Sequence, residues 1–410
     1  MISTLLDRFG GWPDPSSFRP THIVEVDLDE DIPAMTASGP ARVLVRRSGR
    51  PVAFVPVTVP DEGLTPEEVR KALDEAIASE GYPAEPAHAE AQAVAPVRAT
   101  VVITTCVATR GLLRVLDDVR AQTITPHEIV VVDNRPNTSG VTDLFQQQGI
   151  DDVRLVLEHR PGLSRARNAG LAASTGDVIA FLDDDIAVDS RWLEAITEVF
   201  RQDPSVACVT GMILPMELET PAQYLFEEFG GFSKGFHQRR YDLKDHRGTS
   251  KLYPYAAGVF GTGANGSFRV DALRALNGFD EKLGMGTPAK GGEDLDIYLS
   301  VIQSGRTLVY EPAALVWHQH HREIAALRHQ IFNYGVGMSA MIAKRWWANR
   351  QERPEMLQRL GAGVKHVLGP GSPKHQTKTS SYPRALTLIE LGGVIRGPFA
   401  YWRSRRHRVS

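Results

Sequence analysis

The sequence predicts an α/β protein: a mostly parallel sheet layered by helices, with a small N-terminal α+β module before it and a helical extension after it. Three observations predict this. From Val97 onward, apolar runs of five or six residues alternate with helix-period segments, the pattern of a parallel sheet covered on both faces. Residues 1–60 instead alternate residue by residue around a turn, as a hairpin does. Residues 81–96 (GYPAEPAHAEAQAVAP) are rich in Ala, Pro and Glu, a linker composition. The expected divisions are therefore a module over 1–80, a linker over 81–96, a core domain over 97–321 and a helical, basic extension over 322–410.

Each element has a local cause. ARVLVRR, the turn Ser48-Gly49-Arg50 and PVAFVPVTV make the hairpin. Thr65-Pro66-Glu67-Glu68 supplies an N-cap, a proline at the first helical position and a capping-box glutamate, so a helix should run to about Ser79. In the core domain, strands are expected at Ala99–Thr105, Glu128–Val132, Val153–Leu157, Asp177–Leu182 and Ala313–Val316. Helices are expected at Leu112–Ala121, Val141–Gln148 and Leu163–Ser174. In open α/β sheets, ligands bind beyond the carboxyl ends of the strands. That directs attention to Thr104–Thr105, Asp133–Asn134 and Asp183–Asp185.

Composition excludes several classes. The chain is 42% hydrophobic and 23% charged, an ordinary globular mixture. A net charge of −3 gives no bulk attraction to nucleic acid, and none is expected as a partner. Only Cys106 and Cys208 are present, both in apolar, strand-like stretches. A disulfide framework is not expected, and a reducing compartment is. The N-terminus has neither a basic start nor a long apolar stretch, so no signal peptide is expected. No run of 18 apolar residues occurs, so no spanning helix is expected. The expected location is cytoplasmic, or peripheral at the inner face of a membrane.

Five segments carry the chemistry. Phe181-Leu182-Asp183-Asp184-Asp185 places three carboxylates at a strand end. Crowded carboxylates raise one another's pKa unless a cation compensates, and hard oxygen ligands suit Mg²⁺ or Mn²⁺. A solvated acidic turn is the alternative. Gly291-Gly292-Glu293-Asp294 leads into an apolar-periodic helix. It reads either as an ordinary acidic helix start or as a general base held toward a cleft. Val316-Trp317-His318 ends a strand, where a histidine can complete a metal shell. His320 and His321 read more readily as a surface cluster. In Arg160-Pro161-Gly162-Leu163-Ser164-Arg165-Ala166-Arg167 a glycine turn opens a helix, and Arg167 is a candidate diphosphate contact. Gly261-Thr262-Gly263-Ala264-Asn265-Gly266 would allow close backbone approach to a sugar. It has neither dinucleotide-fingerprint nor P-loop spacing.

The order of these segments resembles the family 2 glycosyltransferases, which have the GT-A fold. The resemblance runs from about Val97 to His321 and is carried by EIVVVDN, LSRARNAGLAASTGDVIAFLDDD, GTGANGSFR, GGEDLDIYLSVIQSG and the strand ending in Trp-His. It implies a nucleotide pocket at Thr104 and a nucleobase contact at Asp133. Asn134 stands where the family more often has a second Asp. It implies a DXD motif at Asp183–Asp185, with Asp185 the foremost metal ligand and Asp183 near ribose or metal. Asp184 joins the donor-binding set. Asp294 matches the catalytic base, with Glu293 beside it, and His318 a later metal- or phosphate-contacting position. The implied reaction is inverting transfer from a UDP-, GDP- or dTDP-sugar to an acceptor hydroxyl with Mn²⁺ or Mg²⁺. The acceptor would be a saccharide, a cell-envelope glycan or a lipid-linked saccharide.

Two other classes compete. A sugar nucleotidyltransferase would want a Gly-rich basic loop after the first strand, where this chain offers Arg110 and Gly111. A non-catalytic nucleotide-sugar-binding module would not need the full acidic set. In the extension, Ile324–Trp347 and Ala385–Trp402 are apolar helices with basic and aromatic ends. They suit either a membrane surface or packing on the core or a homodimer partner. No role is readable for the module itself.

Overall fold

The structure, a computed structural model, describes residues 18–80, 96–368 and 382–406. The expected linker lies almost wholly outside the described residues. In the N-terminal module, β1 (His22–Asp27) pairs parallel to β2 (Gly39–Arg47), and β2 pairs antiparallel to β3 (Arg50–Val59). The β2–β3 turn is two residues long, with Ser48 at φ 49° and Gly49 at φ 77°, the left-handed pair that matches strand twist. Helix α1 (Pro66–Glu80) opens with the expected capping box: the Thr65 amide donates to Glu68 Oε2 at 2.8 Å. Val43, Val45, Val55 and Leu73 close the module's own core.

The second unit alternates as expected up to β7. Its elements are β4 (Ala99–Thr105), α2 (Arg110–Arg120), β5 (Glu128–Asp133), α3 (Val141–Gln148), β6 (Arg154–Leu157), α4 (Leu163–Ala173) and β7 (Val178–Asp183). Strands β7, β4, β5 and β6 are parallel neighbours in that order. Register brings three strand ends level, because Thr104 lies beside Asp183 and Thr105 beside Asp133.

Beyond β7 the sheet departs from simple alternation. Next come β8 (Ile186–Val188), α5 (Trp192–Gln202), β9 (Val206–Pro215), α6 (Pro221–Phe229), β10 (Arg239–Tyr241), β11 (Asn265–Arg269), α7 (Val270–Ala275), α8 (Glu293–Gln303) and β12 (Thr307–His318). Strand β11 runs antiparallel between β7 and β9, and β12 lies parallel to β9. Short β8 crosses to the end of β12 and sets Ile186 opposite His318. Its Ile186 and Val188 are buried, so their removal from water holds the preceding acidic turn against the strand carrying the histidine.

The extension is α9 (Ile324–Ala348), α10 (Arg353–Leu368) and α11 (Arg384–Arg406). Helix α9 packs on the core unit. Lys344 Nζ lies 2.5 Å from Asp296 Oδ2 and 3.0 Å from Asp280 Oδ2, and Arg345 is 2.8 Å from Asp296. Helix α11 in turn lies along α9 through glycines. An added Cβ at Gly393 would strike the Phe332 carbonyl, and one at Gly397 the Ser339 side chain. The inner faces of these helices are thus packed on protein. No helix among the described residues is long and apolar enough to cross a membrane.

Candidate active site

The triple-aspartate turn and the acidic start of α8 face one another. Arg167, on α4 and 1% exposed, joins them. Its Nη2 lies 3.4 Å from Asp183 Oδ1, its Nη1 lies 3.1 Å from Glu293 Oε1, and it donates to the Gly263 carbonyl at 2.9 Å. The Gly263 amide donates to Asp294 Oδ2 at 2.9 Å. A Cβ at Gly263 would stand 2.8 Å from Arg167 Nη1 and 3.0 Å from Asp294 Cβ. This glycine is therefore needed to seat the guanidinium and the aspartate. Arg167, expected at a diphosphate, here reaches Asp183, Glu293 and the Gly263 carbonyl.

Three aspartates in sequence have three environments. Asp183 accepts from Thr104 Oγ1 at 3.2 Å and faces Arg167. Asp184 is tied to Thr105 Oγ1 at 2.5 Å, and burial, with the charge of Asp183, raises its carboxyl above the usual range. Asp185 keeps half of its side chain exposed. Its seat among protein atoms, and then Asp183 and Asp184, push its carboxyl up to about 7. A bound cation would offset that crowding.

The His318 ring completes this corner. Its Nε2 lies 3.5 Å from Asp185 Oδ2, and the Gln319 amide donates to the Asp185 carbonyl at 3.1 Å. Burial, then His320 and His321, lower the His318 imidazole to about 3, so the ring is neutral and keeps a lone pair for a ligand. Two ligands each about 2.1 Å from one ion lie about 3.0 Å apart at a right angle, and farther as the angle opens. The pair fits Mg²⁺ or Mn²⁺. Among the described residues no three His, Cys, Asp or Glu groups converge on one point. Asp183, also expected at the metal, turns its Oδ1 to Thr104 and Arg167. Two protein ligands, with water and phosphate completing the shell, are usual for Mg²⁺.

Sequence reasoning missed the layer behind His318. His320 is 2% exposed, not a surface residue. Its Nδ1 meets His318 Nδ1 at 3.1 Å and its Nε2 meets Glu227 Oε1 at 2.9 Å. Phe226 and Phe232 pack edge-on against its ring. Two neighbouring histidines after a strand were the available signal. His320 lies two residues past the end of β12, and the packing of Phe226 on α6 against its ring accompanies its burial.

The residues expected at a nucleotide, Thr104, Asp133 and Asn134, all have partners within the protein. Asp133 is 0% exposed, and its oxygens accept from Ser139 Oγ at 2.5 Å and the Arg135 amide at 2.9 Å. Asn134 accepts from the Gly162 amide at 2.7 Å and donates to the Arg160 carbonyl at 3.0 Å. Both shape the loops after β5 and before α4, and neither presents a free edge to a base. Thr104, at 6% exposed, is likewise turned to Asp183.

Glu293 is 5% exposed. Burial and Asp294 raise its carboxyl, while Arg167 acts against them. Its Oε2 finds no hydrogen-bond partner among the described residues. Asp294 is partly exposed, and its second oxygen accepts only from the adjacent Leu295 amide. Of the two, Asp294 is the more exposed. Burial raises the Tyr334 hydroxyl of α9, with Asp294, Asp185 and Asp183 acting in the same direction. Burial lowers the Lys234 ammonium to about 8.

The glycosyl transferase family 2 model matches residues 100–259, which takes in the triple aspartate and stops short of α8 and His318. The pre-mycofactocin glycosyltransferase of Mycobacterium tuberculosis is 33% identical over 259 residues, 63% of this chain and 48% of that protein. The match thus spans about half the length of that relative. A glucosyl-dolichyl phosphate glucuronosyltransferase of Haloferax volcanii is 24% identical over 251 residues, covering 58% of this chain and 70% of that protein. Among solved structures, a mannosyltransferase of Pyrobaculum calidifontis, in complex with GDP-Man and Mn²⁺, aligns with a TM-score of 0.45 at 18% identity. That alignment covers 77% of this chain and 90% of the other. Within the domain that opens at β4, residues 100–259 are thus similar to glycosyl transferase family 2.

Proposed function

We propose that the chain transfers a hexosyl group from a nucleoside-diphosphate sugar to an acceptor hydroxyl, with inversion and with Mn²⁺ or Mg²⁺. One observation carries the reading. A single buried guanidinium links the turn that presents Asp185 to the helix start that presents Asp294.

Asp185 and His318 would hold the cation, which on binding would neutralise charge developing on the departing diphosphate. Asp294 takes the acceptor's proton as its oxygen attacks the anomeric carbon. Arg167 and the Gly263 amide keep that carboxylate aimed. Glu293 shares Arg167 and so tunes the position of its neighbour. Attack opposite the leaving group needs one base and no covalent carboxylate intermediate, in keeping with inversion. The sugar and nucleotide of the Mycobacterium, Haloferax and Pyrobaculum proteins do not transfer to this chain at these identities. A UDP-, GDP- or dTDP-sugar donor and a cell-envelope or lipid-linked saccharide acceptor are the classes the site would take.

The test is a screen of nucleotide sugars for Mn²⁺-dependent thermal stabilisation, followed by a transfer assay on the one that binds. Asp294→Asn should retain donor binding and lose transfer by about 10²–10⁴-fold. Full transfer by Asp294→Asn would refute this assignment of the base.

A further inference from the structure

The outer face of α11 is unlike its inner face. Leu388, Ile395, Phe399 and Trp402 are 43%, 74%, 50% and 38% exposed. They are spaced seven, four and three residues apart, which at 3.6 residues per turn sets them in one narrow stripe. Arg384 and Arg406, four residues outside the stripe at either end, continue the same face and are exposed. Arg406 lies over the Trp402 ring, 3.9 Å from its centroid, and Arg396 over Phe399 at 5.4 Å. The helix carries five arginines and a single acid, Glu390, which is 5% exposed. An apolar stripe flanked by arginines and free of exposed carboxylate complements an anionic bilayer surface.

We infer that α11 docks in the plane of an anionic lipid surface, with Ile395, Phe399 and Trp402 below the headgroups and its arginines among the phosphates. A second copy of the chain is the competing occupant. Two such stripes meeting would bring ten arginines together with no facing acid on this helix, so charge favours lipid.

The seating of α11 joins this surface to chemistry. Its glycine seam fixes α9, and α9 leans Gly337 on the glycine turn before Asp294. A Cβ at Gly337 would stand 2.8 Å from the Gly291 carbonyl carbon and 2.9 Å from the Gly292 amide. The lipid-facing helix is therefore one helix removed from the proposed base. This part of the inference rests on the proposed transfer reaction, and it assigns the acceptor to the lipid-linked class.

Sedimentation of the full chain with vesicles tests it. Wild type should pellet with vesicles of phosphatidylcholine containing phosphatidylglycerol, less with phosphatidylcholine alone, and less in high salt. The double variant I395E/F399E should lower partition by at least about tenfold. Its thermal midpoint and its Mn²⁺-dependent donor binding should not change, which separates this inference from failure of the catalytic reading. Unchanged pelleting by I395E/F399E would overturn the inference. So would wild type that ignores vesicles but forms a dimer, by light scattering, that the double variant abolishes.

Discussion

His318 and His320 meet Nδ1 to Nδ1 at 3.1 Å, a hydrogen bond in which one nitrogen donates and the other accepts. His318 turns its Nε2 to Asp185, and His320 turns its Nε2 to Glu227. A lone pair at His318 Nε2 requires the proton on its Nδ1. His320 then accepts at Nδ1 and donates from Nε2 to the Glu227 carboxylate. Glu227, remote from the cation, thereby favours the ligating tautomer of His318.

That chain predicts an effect on metal affinity. Glu227→Gln can donate as well as accept, so it permits the reversed chain and should weaken Mn²⁺ binding about tenfold. Glu227→Asp should lose less. Calorimetric titration of Mn²⁺ with a nucleoside diphosphate present checks both, and equal affinity in all three proteins would refute the coupling.

Arg167 predicts a loss of stability. Removing one member of a buried charged set costs about 3–5 kcal/mol, because the partners are left uncompensated. Arg167→Met should leave Asp183 and Glu293 facing each other without a cation and lower the denaturation midpoint accordingly. Arg167→Lys keeps the charge but cannot fork between two carboxylates and a carbonyl, so it should fall between. A midpoint equal to wild type in Arg167→Met would show that the guanidinium is not the link.

Gly337 predicts that the extension reports on catalysis. Overpacking a tight contact costs about 1–3 kcal/mol, and here the strain falls on the turn that launches Glu293 and Asp294. Gly337→Val should reduce kcat of sugar transfer more than it weakens donor binding. Gly361→Ala, on α10 with nothing within 4 Å of the added Cβ, is the control and should leave both unchanged.

The legible part of the molecule was the part written in short-range pattern. Strand β4 lies as expected at Ala99–Thr105 and β5 runs one residue farther, to Asp133, because buried apolar runs and adjoining turns are local signals. The Thr65 capping box likewise needs only four consecutive residues. What stayed hidden depends on distant pairing. Strand β1 joins β2 in a parallel pair, and β11 enters between β7 and β9 with reversed direction, facts with no local signature. The burial of Arg167 depends on Asp183, Gly263 and Glu293 arriving from three other segments. Asn134 resembled a ligand position and instead pins the loop at Arg160–Gly162. Glu227 gave no signal, since its meaning comes only from His320.

The central claim is that the acidic turn and the helix start at Asp294 form one cation-bearing site for a sugar diphosphate. Calorimetric titration of UDP, GDP and dTDP into wild type and Asp185→Ala, each with and without Mn²⁺, tests it most directly. The account predicts that one nucleotide binds wild type far more tightly with Mn²⁺ and that Asp185→Ala abolishes this metal dependence. Binding that is indifferent to Mn²⁺, or fully metal-dependent in Asp185→Ala, would contradict it.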